Sequence, residues 1–94
     1  MPHAGSFTID ATHAALPGHF PGRPIVPGVV LLDHVAALLL NDVGRRVAGF
    51  PSARFLHPVR PGDTVSVAYD GPGFTCTVGG TAVLTGRIDL AARP

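Results

Sequence analysis

From Val29 to Val43 the chain is apolar at almost every position, and this run constrains the fold more than any other stretch. Its valines, leucines and alanines cover most of a helical wheel, leaving Asp33, His34, Asn41 and Asp42 as the polar positions. A helix apolar nearly all round is a buried one. The run is also too short, and too interrupted at Asp33-His34, to span a bilayer. Pro27-Gly28 predicts the start of this helix and Gly44 or Gly49 its stop, with Arg45-Arg46 near the end where cations suit the helix dipole. One hidden helix in so short a chain needs something wrapped around it.

The segment feeding the helix is unusual in its own right. Pro21-Gly22, Arg23-Pro24 and Pro27-Gly28 stiffen a loop running from Pro17 to Gly28. Proline fixes φ and glycine permits φ > 0, so such a loop has little freedom to lose on folding. His19 opens this rigid loop, and Asp33 lies inside the helix that follows. An imidazole held by a rigid loop, ahead of an apolar helix with a carboxylate inside it, reads as a site.

The rest of the chain supplies the wrapper. Ser6 to Asp10 alternates, with Phe7 and Ile9 on one face, and predicts a short strand, whereas Ala11 to Leu16 has no clear period. Ala53 to Leu56 is a strand candidate, closed by the turn at Arg60-Pro61-Gly62-Asp63. Thr64 to Asp70 alternates with Val65, Val67 and Tyr69 on one side. Phe74, Cys76 and Val78 alternate against Thr75 and Thr77, and Gly79-Gly80 signals a tight hairpin into a last strand, Thr81 to Leu90, with a bend at Gly86. The order strand, helix, then about four antiparallel strands predicts one α+β domain over residues 1–94, a sheet curled round one central buried helix.

A chain of 94 residues buries only about 60–65% of the surface its unfolded form exposes. Cys76 is the only cysteine, so no internal disulfide adds stability; it reads as a small apolar residue in a strand rather than a nucleophile. Self-association is the remaining way to enlarge the core. A formal net charge of +1 with no basic run argues against nucleic acid and acidic membrane surfaces. The stretch MPHAGSFTID has neither a basic nor an apolar leader region, so the expected location is the cytoplasm. No His, Cys or Asp group shows metal-ligand spacing.

The run HFPGRPIVPGVVLLD resembles the signature of the 3-hydroxyacyl-acyl carrier protein dehydratases: His-Phe-Pro-Gly-x-Pro, then Pro-Gly-Val, with an acid fourteen positions after the His. RFLHPVRPGDTV resembles the same family's post-helix strand and turn. Asp33 at the acid position is the choice of the compact branch similar to the aryl-polyene-type and decanoyl-type dehydratases, although the glutamine common four residues later is Ala37 here. The resemblance implies the hot-dog fold, in which a curved antiparallel sheet wraps a central helix. It implies dehydration of 3-hydroxyacyl thioesters on the phosphopantetheine of acyl carrier protein, giving trans-2-enoyl thioesters in fatty acid or polyketide-like synthesis. It implies a homodimer or higher even oligomer, and no cofactor or metal.

The chemistry agrees. Removing water from such a thioester means taking an α-proton, protonating a departing β-hydroxyl and stabilising charge on the thioester oxygen. An imidazole can serve as the base. A carboxyl in apolar surroundings keeps its proton to higher pH and can deliver it. Free N–H groups at a helix start can polarise the carbonyl. His19, Asp33 of the partner subunit and the amide of Gly28 fill these roles in the family's pattern. The carbonyl of Ile25 would orient the imidazole, and Val29 and Phe20 would line the substrate path. Alone, each has a plainer reading: a hydrogen-bonded loop histidine, and a polar edge on a helix. His34 points elsewhere on the wheel, His3, His13 and His57 read as surface or loop residues, and Arg54 and Arg60 read as solvated charges or as contacts to the carrier. Two other functions remain open: a hot-dog thioesterase, and a non-catalytic acyl-binding subunit that pairs with an active paralogue.

Overall fold

The computed structural model describes residues 3–10, 25–44 and 46–91. They form strand β1 (His3–Thr8), helix α1 (Gly28–Val43), then β2 (Val47–Phe55), β3 (Thr64–Asp70), β4 (Gly73–Val78) and β5 (Thr81–Leu90). The strands make one sheet in the order β1-β3-β4-β5-β2, antiparallel at every pairing. The helix approaches β1 and β2, the two outermost strands. Five strands laid flat would hold those edges about 19 Å apart, so the sheet must curl for one helix to reach both. The sheet round a helix expected from the sequence is what forms.

Alternation builds the core as expected. Val65 and Val67 on β3, Phe74 and Cys76 on β4, and Leu84 and Ile88 on β5 are buried, and Val35 and Leu39 of α1 meet them. Gly79 and Gly80 both have positive φ, as the tight β4–β5 turn requires. Burial pushes the Cys76 thiol up to about 12, which makes it a packing residue and a poor nucleophile.

The edges of several elements differ from the sequence reading. β1 stops at Thr8, not Asp10, because its partner β3 begins at Thr64, which pairs with Thr8; Ile9 is still buried just beyond. β2 begins at Val47 rather than Ala53, since the ten-residue β5 offers a partner as far as Leu90. Register shifts on both sides of Gly49 absorb that residue and Pro51, and β2 lies at a sheet edge, where a missing proline N–H costs least. The ladder passes Gly86 without a shift on either side; this glycine serves close packing and not a bend.

The helix begins at Gly28 with Pro27 as its unassisted cap, and stops at Gly44, whose left-handed backbone (φ 77°) lets its N–H donate to the Leu40 carbonyl at 2.9 Å. Arg46 therefore lies past the end and not in the last turn. The helix is also less enclosed than its composition suggested: Val29 is 65% and Leu40 46% exposed. One curled sheet covers one side of a helix, so the opposite stripe, Val29, Asp33, Ala37 and Leu40, faces outward. No helix among the described residues is long and apolar enough to cross a membrane.

Tyr69, half-buried on β3, donates its hydroxyl to Asp42 Oδ2 at 2.6 Å and ties the end of α1 to the sheet. That hydrogen bond, with smaller contributions from desolvation and from the carboxylate's charge, raises the phenol above its ordinary value. The neutral phenol is the form favoured by folding, so this tie is present at neutral pH. It is lost only as pH climbs through the raised value, above about 10. Tyr69 is the only tyrosine. Its ultraviolet titration should have a midpoint above about 10 that falls in Asp42→Asn; a wild-type midpoint at the ordinary value would refute the bond.

Candidate active site

The approach to the helix is pinned before the helix begins. Val26 donates its N–H to the Val59 carbonyl at 2.8 Å, and both side chains are buried. The Pro27 carbonyl then accepts from the N–H groups of Val30 at 3.0 Å and Leu31 at 3.3 Å. The amides of Gly28 and Val29 precede these and belong to the first-turn donors that a helix cannot satisfy internally. Gly28 lies close under its neighbour: a Cβ there would lie 2.7 Å from Cζ of Phe55, so a larger residue would need the ring to move aside. The aromatic ring thus sits directly on the helix start.

Beside that start lies a pocket of about 350 Å³. Ile25, Val26, Gly28 and Leu31 line it from the helix entry, and Phe55 at the end of β2 with Leu56 to Val59 after it from the other side. Phe55 is 49% exposed and Leu56 is also exposed, so apolar surface remains open to a ligand or partner. Among the described residues the lining is apolar apart from His57.

Of the residues singled out in the sequence, Ile25 and Gly28 come together at this pocket. Val29 contributes its place at the helix start, but its side chain points to the outer stripe. Asp33 is exposed and does not line the pocket; five residues beyond Gly28 it stands about 140° round the helix and about 7.5 Å along it. His19 and Phe20 lie outside the described residues. His34 stacks on Phe7 with ring centroids 4.7 Å apart, and its Nδ1 lies 2.9 Å from the Val30 carbonyl. A carbonyl only accepts, so the proton of that bond is on Nδ1. This histidine fastens α1 to β1, away from the pocket lining. His57 was read as a loop residue and is exposed there, yet it also lines the pocket. Only the short run before the Pro61-Gly62 turn hinted at it.

A curled antiparallel sheet round one helix, with a pocket at the helix start, is the hot-dog fold, and solved structures share it. One is a chain of the dehydratase heterocomplex ApeI:P from Xenorhabdus doucetiae, with TM-score 0.74 and 24% identity, the match covering 93% of this chain and 84% of that one. Another is an uncharacterised protein from Erwinia carotovora subsp. atroseptica, with TM-score 0.72 and 24% identity over 92% of this chain and 79% of that one. The family is set by sequence. Residues 3–73 match the family model of the ApeI-like proteins, described as ApeI dehydratase, and the chain belongs to this family. It is also similar to 3-hydroxyacyl-[acyl-carrier-protein] dehydratase FabZ of Chloroflexus aggregans, 44% identical over 65% of this chain and 49% of the relative. The Thermus thermophilus FabZ is 37% identical over 70% of this chain and 54% of its own length. The chain spans about half the length of the curated relatives it matches.

Proposed function

We propose that this protein dehydrates 3-hydroxyacyl thioesters carried on the phosphopantetheine of acyl carrier protein. His19 takes the α-proton while the Ile25 carbonyl orients its imidazole. The electron pair of the broken C–H bond forms the α,β double bond, and the β-hydroxyl leaves with a proton from Asp33 of the partner subunit. The amides of Gly28 and Val29 stabilise the negative charge that builds on the thioester oxygen, and Phe20 borders the path of the acyl chain.

The observation that carries this reading is the helix start itself. The amides of Gly28 and Val29 have no partner among the described residues, and Gly28, with Phe55 beside it, lines an apolar pocket. A thioester carbonyl presented there meets donors already in place, the arrangement acyl chemistry requires. The relation of Asp33 to the pocket supports a homodimer. Its carboxylate is turned away from the pocket of its own chain, in the middle of an outward stripe that also holds Val29 and Leu40. A second copy seated on that stripe would cover the apolar residues and receive the carboxyl.

Mass spectrometry of 3-hydroxyacyl-acyl carrier proteins of several chain lengths tests the reaction. The expected result is loss of one water from the acyl group with wild type and none with Asp33→Asn. Release of free carrier thiol would instead identify a thioesterase. No change with any chain length, from folded dimeric protein, would sink catalysis by this chain alone and leave a subunit that works through a paralogue.

A further inference from the structure

His57 is the one side chain lining the pocket, among the described residues, that can make a hydrogen bond. Its backbone is held firmly. The N–H groups of Leu56 and His57 both point to the Val83 carbonyl, at 2.8 and 3.4 Å, and buried Val59 is bonded to Val26 two residues on. Pro58 further restricts the conformation of the residue before it. His57 is exposed, which places it at the pocket's mouth, whereas Val26, Leu31 and Val59 are buried and form its apolar interior.

A carrier-bound thioester divides in the same way. Its acyl chain is apolar and suits the interior; the pantetheine arm carries amides and must cross the mouth. An amide that loses water against apolar walls without a new partner is costly. Resting on the dehydratase reading above, we propose that His57 hydrogen-bonds the outer amide of the substrate's pantetheine arm, setting how tightly it binds and not how fast it reacts.

The test compares His57→Leu and His57→Gln on 3-hydroxybutyryl-pantetheine and on the same acyl group cut back to N-acetylcysteamine, which lacks the outer amide. His57→Leu should raise KM for the pantetheine thioester roughly tenfold, the worth of one hydrogen bond, with kcat little changed. His57→Gln should recover most of the loss, and the truncated thioester should be indifferent to either change. An unchanged KM in His57→Leu, or an equal rise for both thioesters, overturns the proposal. Calorimetric binding of 3-hydroxybutyryl-pantetheine to Asp33→Asn protein, with and without His57→Leu, reads the same contact without turnover. Binding that depends on His57 in a protein that never dehydrates would sink the reaction and keep this contact. Dehydration with binding indifferent to His57 would do the reverse, and absence of binding with His57 intact also overturns the contact.

Discussion

Mixing His19→Ala chains with Asp33→Ala chains is expected to restore a turnover that neither variant shows alone. On the proposed mechanism each single change removes one proton-transfer group and should lower kcat by about 10²–10⁴-fold. Asp33 is exposed and forms no bond to another described residue, so its loss should leave stability within roughly 0.5 kcal/mol, and low activity would not reflect unfolding. In a two-fold dimer with shared sites, each site takes His19 from one chain and Asp33 from the other. A mixed dimer then has one site carrying both defects and one carrying neither. Random assortment makes about half of the dimers mixed, so a co-refolded mixture should recover roughly a quarter of wild-type turnover. If both groups acted within one chain, every site would keep a defect and the mixture would stay inactive. That outcome would remove the shared site while leaving the dehydration assay free to stand.

The exposed stripe around Asp33 also marks where the sequence stops informing. The alternation of Val65 with Val67 and of Phe74 with Cys76 was readable because a half-buried antiparallel strand writes its inner face into every second residue. Gly79-Gly80 and Gly44 were readable because their backbone conformations favour glycine. The first half of β2 was not, since the register shifts around Gly49 and Pro51 break the period that would announce a strand. The limits of β1 were hidden for another reason: they are set by where β3 begins, a fact of pairing and not of local pattern. Apolar composition predicted a fully enclosed α1, but composition states only that Val29 and Leu40 would gain from cover; whether this chain or a second one supplies it is a tertiary matter. Of the residues proposed for the site, Ile25 was singled out through the family resemblance and Gly28 as the helix start, and both line the pocket. His57 was not, because its place depends on the bond between Leu56 and Val83, far apart in sequence.

Gly86→Ala should be the most damaging single-methyl change in the sheet. An added Cβ would run into the Ser52 carbonyl oxygen on one side and lie 2.8 Å from Cε1 and 3.0 Å from Cζ of Phe74 on the other. Neither neighbour can yield cheaply. Ser52 is held in the β2–β5 ladder, where it pairs with Arg87, and Phe74 is almost wholly buried and meets Phe50 edge-on at 5.7 Å. Replacing glycine by alanine normally stabilises by about 0.4–1 kcal/mol through the unfolded chain, but here overpacking at the upper end of its range should exceed that gain and leave a net loss of about 2 kcal/mol. For a domain of this size that corresponds to a fall in Tm of roughly 8–16 °C. Gly49→Ala is the matched control: it also lies on the β2–β5 ladder, has no positive φ, and an added Cβ meets nothing within 4 Å. It should melt within about 4 °C of wild type, as surface changes of up to roughly 0.5 kcal/mol do. Thermal denaturation followed by circular dichroism separates the two. If the variants melted together, the close approach of β2 and Phe74 over Gly86 would be wrong, and with it the packing that carries Phe55 from the same strand onto the helix start.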